Sequence, residues 1–225
     1  MGQKINPNIL RLGPVYNWSS RWFADKNYKE TLFEDFELRK ALSERLKNSG
    51  VSEILIERSI NSIKVTVYVS RPGMVIGRAG SGLEELKQFL HAIVLKNGEK
   101  NKQSLRPSAD GLKAKQKLDI RVEVEPIKEP NLDAYLVAKN ISDQLIKRLH
   151  QKRIMTQSVE RVMGAGAKGV RIVLSGRIGG AEIGRREKMQ RGTVPLSTIR
   201  EHISFASVPA LTKKGYIGVK VWINK

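Results

Sequence analysis

Two glycines three residues apart, Gly77 and Gly80, bracket Arg78 and Ala79 inside the run Pro72-Gly73-Met74-Val75-Ile76-Gly77-Arg78-Ala79-Gly80-Ser81-Gly82-Leu83-Glu84-Glu85-Leu86. Main chain without Cβ atoms can approach a sugar-phosphate chain closely. The free N–H groups and positive dipole end of a following helix suit an anion, and Arg78 adds a fixed charge. The chemistry is phosphate recognition, with Gly77, Arg78, Ala79 and Gly80 as the contact residues. The alternative is an ordinary glycine turn.

Other candidates are cationic. Lys147, Arg148, Lys152 and Arg153 cluster without an acidic residue between them, and one turn of helix sets Arg148 beside Lys152. Arg185, Arg186, Lys188 and Arg191 form a second cluster, flanked by Gly179, Gly180, Gly184 and Gly192, with Lys168 and Arg177 close before it. Glycine next to arginine suits backbone-to-phosphate contact. A solvated basic face or surface ribbon is the alternative for each. Residues 1–24 interleave Lys4, Arg11 and Arg21 with Trp18 and Trp22. That mixture suits either stacking and phosphate contact or a tail packed on its own domain.

Catalytic constellations are missing from the sequence. His91, His150 and His202 are scattered without metal-ligand companions, and there is no cysteine, which removes disulfides, thiolate zinc sites and iron–sulfur clusters. Residues 164–169 spell G-x-G-x-x-G, but a helix precedes and a strand follows, the reverse of a dinucleotide site. No enzymatic activity, cofactor or metal is expected.

These residues need elements to hold them. Residues 28–48 are helical, with Phe36, Leu38, Leu42 and Leu46 as the apolar side and Ser49-Gly50 as the stop. Residues 51–58 and 62–70 alternate as strands, the second running into the glycine loop, and Leu83, Leu86, Leu90 and Ile93 mark the helix beyond it. Residues 96–117 lose periodicity and gain lysines, which predicts a long basic loop. A third strand spans 118–124, and Pro126 and Pro130 mark a domain boundary. Helices over 136–149 and from Met155 onward follow, then strands at 170–174, 199–208 and 216–223.

The chain has 225 residues and a net charge of +19, an excess that destabilises a compact monomer unless a polyanion neutralises it. Residues 139–200 hold 14 Lys or Arg against four Asp or Glu. Nucleic acid is the expected partner. No apolar run reaches the roughly 18 residues of a membrane span, and the N-terminus lacks the apolar core of a secretory signal. A cytoplasmic protein is expected, with an organelle stroma or matrix as the alternative.

The blocks Met1-Gly2-Gln3-Lys4-Ile5-Asn6-Pro7, Arg11-Leu12-Gly13, Arg71-Pro72-Gly73-Met74-Val75-Ile76-Gly77, Gly164-Ala165-Gly166-Ala167-Lys168-Gly169, Ser175-Gly176-Arg177-Ile178-Gly179-Gly180-Ala181-Glu182, Val194-Pro195-Leu196 and Gly215-Tyr216-Ile217-Gly218-Val219-Lys220-Val221-Trp222-Ile223, in this order, resemble the S-three family of bacterial-type small-subunit ribosomal proteins. The resemblance implies an α+β protein of two domains. After an arm at 1–24, a type II KH domain spans 25–126, with a three-stranded sheet, helices and a basic insertion at about 96–117. A C-terminal α/β sandwich with a mostly antiparallel sheet spans 127–225. KH domains clamp about four nucleotides with a G-x-x-G loop.

The family likeness further implies a structural role in the head of the small subunit, on ribosomal RNA, beside the S-ten and S-fourteen proteins and near S-two. It implies that Gln151-Lys152-Arg153-Ile154-Met155-Thr156 lines the channel through which messenger RNA enters and helps melt its helices. Lys152 and Arg153 match the family's paired arginines in charge, whereas Thr156 stands where a lysine is usual. Lys188-Met189 replaces a usual Trp-Tyr pair, and the tail is short, ending at Asn224-Lys225. A free KH-containing RNA-processing or transcription factor is the alternative.

Overall fold

The computed structural model describes residues 4–25, 27–104 and 119–225, the side chains at 79 and 96–104 excepted. The chain divides into two units, one of Ser19–Lys128 and one of Met1–Trp18 with Glu129–Lys225.

In the Ser19–Lys128 unit, a four-stranded sheet runs in the order β1 (Ser20–Arg21), β2 (Val51–Arg58), β3 (Ser62–Val69), β4 (Asp119–Pro126). β2 and β3 pair antiparallel, and β3 and β4 pair parallel. Parallel neighbours need a crossover, and the glycine loop lies inside it. Ile54, Ile56, Ile63, Val65, Val67, Val69, Ile120 and Val122 fill the inner face. Leu38, Leu42 and Leu46 of and just beyond helix α2 (Tyr28–Arg45) pack there, as do Leu86, Leu90 and Val94 of helix α4 (Ser81–Ser104). Each trio recurs every four residues, the spacing of one helix face.

Three expectations change here. Phe36 is not part of the α2 core stripe; it is 64% exposed. The buried neighbour is Asp35, which accepts hydrogen bonds from Ser20 Oγ, Trp22 Nε1 and Arg58 Nε. Strand β3 does not run directly into the loop, because a five-residue helix α3 (Pro72–Ile76) intervenes, with proline at its first turn. Finally, residues 96–104 continue α4 rather than starting a loop; the rest of the expected insertion, through 117, falls outside the described residues.

The other unit is two-layered. Its sheet is antiparallel throughout, in the order β6 (Arg185–Gly192), β5 (Gly169–Gly176), β8 (Gly215–Asn224), β7 (Ile203–Thr212). Helices α5 (Ala134–Ile146) and α6 (Gln151–Gly164) cover one face. There, Val170, Ile172, Leu174, Val219, Val221 and Ile223 meet Ile141, Leu145, Ile154, Val159 and Val162. Asp133 caps α5 through the Tyr135 and Leu136 N–H groups.

The first residues of the chain do not form a free arm. A short helix α1 (Pro7–Leu10) lies on edge strand β7, where the Asn8 side chain exchanges hydrogen bonds with the Phe205 N–H and carbonyl. That pairing covers an open sheet edge.

Candidate nucleic-acid interface

The loop between α3 and α4 has its shape from three glycines. Gly77 adopts φ 71° and Gly80 φ 82°, a region that favours residues without Cβ. A Cβ on Gly82 would stand 2.5 Å from the Val75 carbonyl oxygen and 3.0 Å from that of Ile76, and one on Gly77 would stand 3.0 Å from the Gly82 N. Gly77 and Gly82 therefore let the end of α3 close onto the start of α4. A Cβ on Gly80 would meet nothing within 4 Å among the described residues beyond its chain neighbours, so space is open on that side. Arg78 is exposed and no hydrogen bond or ion pair engages its side chain among the described residues, although its carbonyl accepts from the Ser81 N–H. The loop presents one free guanidinium on bare main chain beside a helix start, an arrangement that binds phosphate.

The outer face of the same sheet is different. Arg21, Lys64 and Arg121 stand in register with or next to Glu57, Glu123 and Glu125, and Arg21 pairs with Glu57 at 3.1 Å and Lys64 with Glu123 at 2.8 Å. The hydrogen bond to Glu123 raises the Lys64 pKa. Burial, together with a hydrogen bond to Glu125, raises that of Tyr68. Charge is neutralised internally on this face, so Arg21 is not the free cation expected from the sequence. Arg39 is likewise engaged, donating to the Ile54 and Ser19 carbonyls and Ser20 Oγ; burial lowers its pKa, against the pull of Asp35 and Glu53.

Arg11 is a clear correction. It is fully buried, with 0% exposure. Its guanidinium donates to the carbonyls of Glu201 at 2.8 Å, Pro7 at 3.1 Å, Thr198 at 2.8 Å, Leu196 at 3.2 Å and Pro195 at 3.4 Å. It gathers the 195–201 segment and has nothing left for RNA. Lys4 is exposed.

On α6, Ile154, Met155, Ser158, Val159 and Val162 are buried, while Lys152, Arg153 and Thr156 project outward. No carboxylate stands three or four residues from Lys152 or Arg153, so both charges are unsatisfied by their own helix. Arg148 is exposed and holds φ 61°, the sole non-glycine with positive φ among the described residues. Its N–H meets the Leu145 carbonyl and that of Leu149 meets Gln144, the Schellman arrangement, whose left-handed position is usually glycine. Arginine there costs about 1–2 kcal/mol. Arg148→Gly is expected to stabilise the free protein by about 0.5–1 kcal/mol, the relief exceeding the extra chain entropy of glycine, while weakening RNA binding. Thermal melts and binding titrations on the same variant check the two opposite signs.

The second cluster divides. Register pairs Ile172 with Met189 and Leu174 with Glu187, whereas Val173 faces Lys188 and Ser175 faces Arg186. Arg185, Glu187, Met189 and Arg191 thus share the helix side, with Arg185 paired to Glu187 at 3.2 Å. Arg186 and Lys188 share the opposite side. Arg177 is exposed but its Nε holds the Ala181 carbonyl at 2.9 Å. Lys168 lies 3.7 Å from Glu201. The G-x-G-x-x-G follows α6 and enters β5, and its last glycine serves packing: a Cβ on Gly169 would stand 2.2 Å from the Thr193 carbonyl oxygen.

Two family models match the chain, a KH domain over residues 37–132 and the ribosomal protein S3 C-terminal domain over residues 141–223. Proteins named small ribosomal subunit protein uS3 align along the whole chain. Those of Lactobacillus helveticus and Natranaerobius thermophilus are 44% identical, over 91% and 89% of their own lengths, and that of Desulfitobacterium hafniense is 43% identical over 93%. The chain belongs to the uS3 family. It is a non-enzymatic constituent of the small ribosomal subunit, a ribosome component of the cytoplasm that binds ribosomal RNA. Two departures noted in this uS3 sequence meet in space, Thr156 Oγ1 lying 3.7 Å from Met189 Sδ.

Proposed function

We propose that this uS3 protein lines the channel through which messenger RNA enters the small subunit, guides the message and helps melt its helices, using Lys152, Arg153 and Arg148. The observation that carries this reading is the mounting of α6. One side is locked into the core by five buried residues, and the other offers two cations with no carboxylate three or four residues away along the helix. A rigid, unneutralised basic ridge holds a moving phosphate chain by charge without reading its bases. The head of the subunit, beside the S-ten and S-fourteen proteins and near S-two, is the location that goes with this role. Arg78 with the Gly77–Gly80 main chain holds an RNA strand in the other unit.

Reconstituted subunits carrying Lys152→Gln with Arg153→Gln are expected to translate a message with a stable hairpin on the order of tenfold more slowly, by analogy with the loss of two phosphate contacts. Translation of an unstructured message is expected to be unchanged. Thr156→Lys, which restores a cation on the same exposed side, is expected to speed passage through the hairpin. Equal effects on both messages, or none, would remove the unwinding role.

A further inference from the structure

The sheet of the C-terminal unit has a second face, turned away from α5 and α6. Cross-strand partners share a face, so the register assigns to it Arg186, Lys188 and Gln190 of β6, Arg171, Val173 and Ser175 of β5, Lys220 and Trp222 of β8, and Phe205 and Ser207 of β7. The β7 side of this face is covered: Val173, Ile203 and Trp222 form a small core with Val194, Leu196 and Phe205. The remainder carries four cations and no carboxylate. Lys188 and Lys220 flank Val173 on its two neighbouring strands, and Arg186 follows two residues along β6. All three are exposed. Arg171 stacks its guanidinium 5.3 Å over the Trp222 ring, which fixes the direction of its donors. Its Nε is buried and has no hydrogen-bond partner among the described residues.

We infer that this open sheet face, built from Arg171, Arg186, Lys188 and Lys220, is a second RNA-backbone site, on the opposite side of the unit from the α6 ridge. The inference rests on the proposed role of α6 only for the contrast between the two faces. A phosphate backbone neutralises like charges that the fold itself leaves in a row. The face holds its residues on paired β-strands rather than on a mobile loop, and its contacts are to charge, not to base edges. Both features suit a fixed folded RNA better than a sliding message. Arg171 and Lys220 escape a search for basic runs because each stands alone in an apolar strand; only the register collects them. Arg185 and Arg191, adjacent in sequence, belong to the other side.

The test uses the full chain with small-subunit ribosomal RNA and with an unstructured RNA oligonucleotide. Arg186→Gln, Lys188→Gln and Lys220→Gln together leave the Arg171–Trp222 stack in place. This variant is expected to lose ten- to hundredfold in affinity for the ribosomal RNA at 0.1 M salt, and its log–log salt slope is expected to fall by about two. Lys152→Gln with Arg153→Gln is expected to weaken oligonucleotide binding instead. Unchanged ribosomal RNA affinity and slope in the folded triple variant would overturn the inference, whether or not the α6 variant behaves as proposed. Amine acylation of the native protein gives a readout independent of mutation. Lys188 and Lys220 should be protected in intact subunits and become reactive after ribonuclease digestion. Protection that survives digestion would mean that a protein covers the face, and would equally overturn the inference.

Discussion

Arg11→Ala is expected to destabilise the C-terminal unit by about 3–5 kcal/mol, since it strips the donor from several main-chain carbonyls at once and leaves a cavity where a large side chain is buried. The guanidinium reaches carbonyls of Pro7, Pro195, Leu196, Thr198 and Glu201, and no short side chain replaces that fork. Each buried acceptor left unpaired costs about 1–3 kcal/mol, moderated by relaxation of the 195–201 segment toward water. Against a total stability of about 5–15 kcal/mol, the loss is large. Arg11→Lys is expected to recover only part of it, because one ammonium has three donors and no planar spread. Denaturant titration checks the midpoint shift. The salt slope of RNA binding, measured where the variant is folded, is expected to stay that of the parent. A surface phosphate contact would behave in the opposite way, with stability kept and the slope reduced by about one.

The burial of Arg11 is not written in its neighbours along the chain. Strands 51–58 and 62–69 and the last strand are legible because buried apolar residues recur at every second position through most of each: Ile54 and Ile56, Ile63 to Val69, and Ile217 to Ile223. Helix α3 was not, since five residues contain little more than one turn and no period; the available signal was Pro72 at a helix start. Residues 96–104 read as loop because their polar side chains carry no apolar stripe, yet lysine, glutamate and glutamine are good helix formers and the backbone continues α4. Arg11 and Asp35 were missed for a different reason. Each is buried because partners remote in sequence converge on it: loop carbonyls near residue 200 for Arg11, and Ser20, Trp22 and Arg58 for Asp35. A charged residue's neighbours along the chain do not reveal such partners. The loop glycines were legible as a motif, but their division of labour was not. The motif points to Gly77 and Gly80 for RNA approach, whereas the Cβ positions assign Gly77 and Gly82 to packing.

That division makes a paired prediction. Gly82→Ala sets a methyl group 2.5 Å from a main-chain carbonyl, and neither helix backbone can yield as a flexible side chain would. Overpacking of this kind costs about 1–3 kcal/mol, and the strain falls on the junction that shapes the loop. Both the melting temperature of the Ser19–Lys128 unit and its RNA affinity are expected to fall. Arg78→Asp with Ala79→Asp keeps all three glycines and alters only an exposed, unpaired position and its neighbour. It is expected to leave the melt unchanged while lowering RNA affinity by on the order of tenfold or more, since one phosphate partner is lost and two like charges are set against the backbone. Calorimetry and RNA titration of the two variants separate shape from charge. Should the double-aspartate variant bind RNA as tightly as the parent while Gly82→Ala loses only stability, the glycine loop would be a packing turn and the RNA contacts of this unit would lie elsewhere.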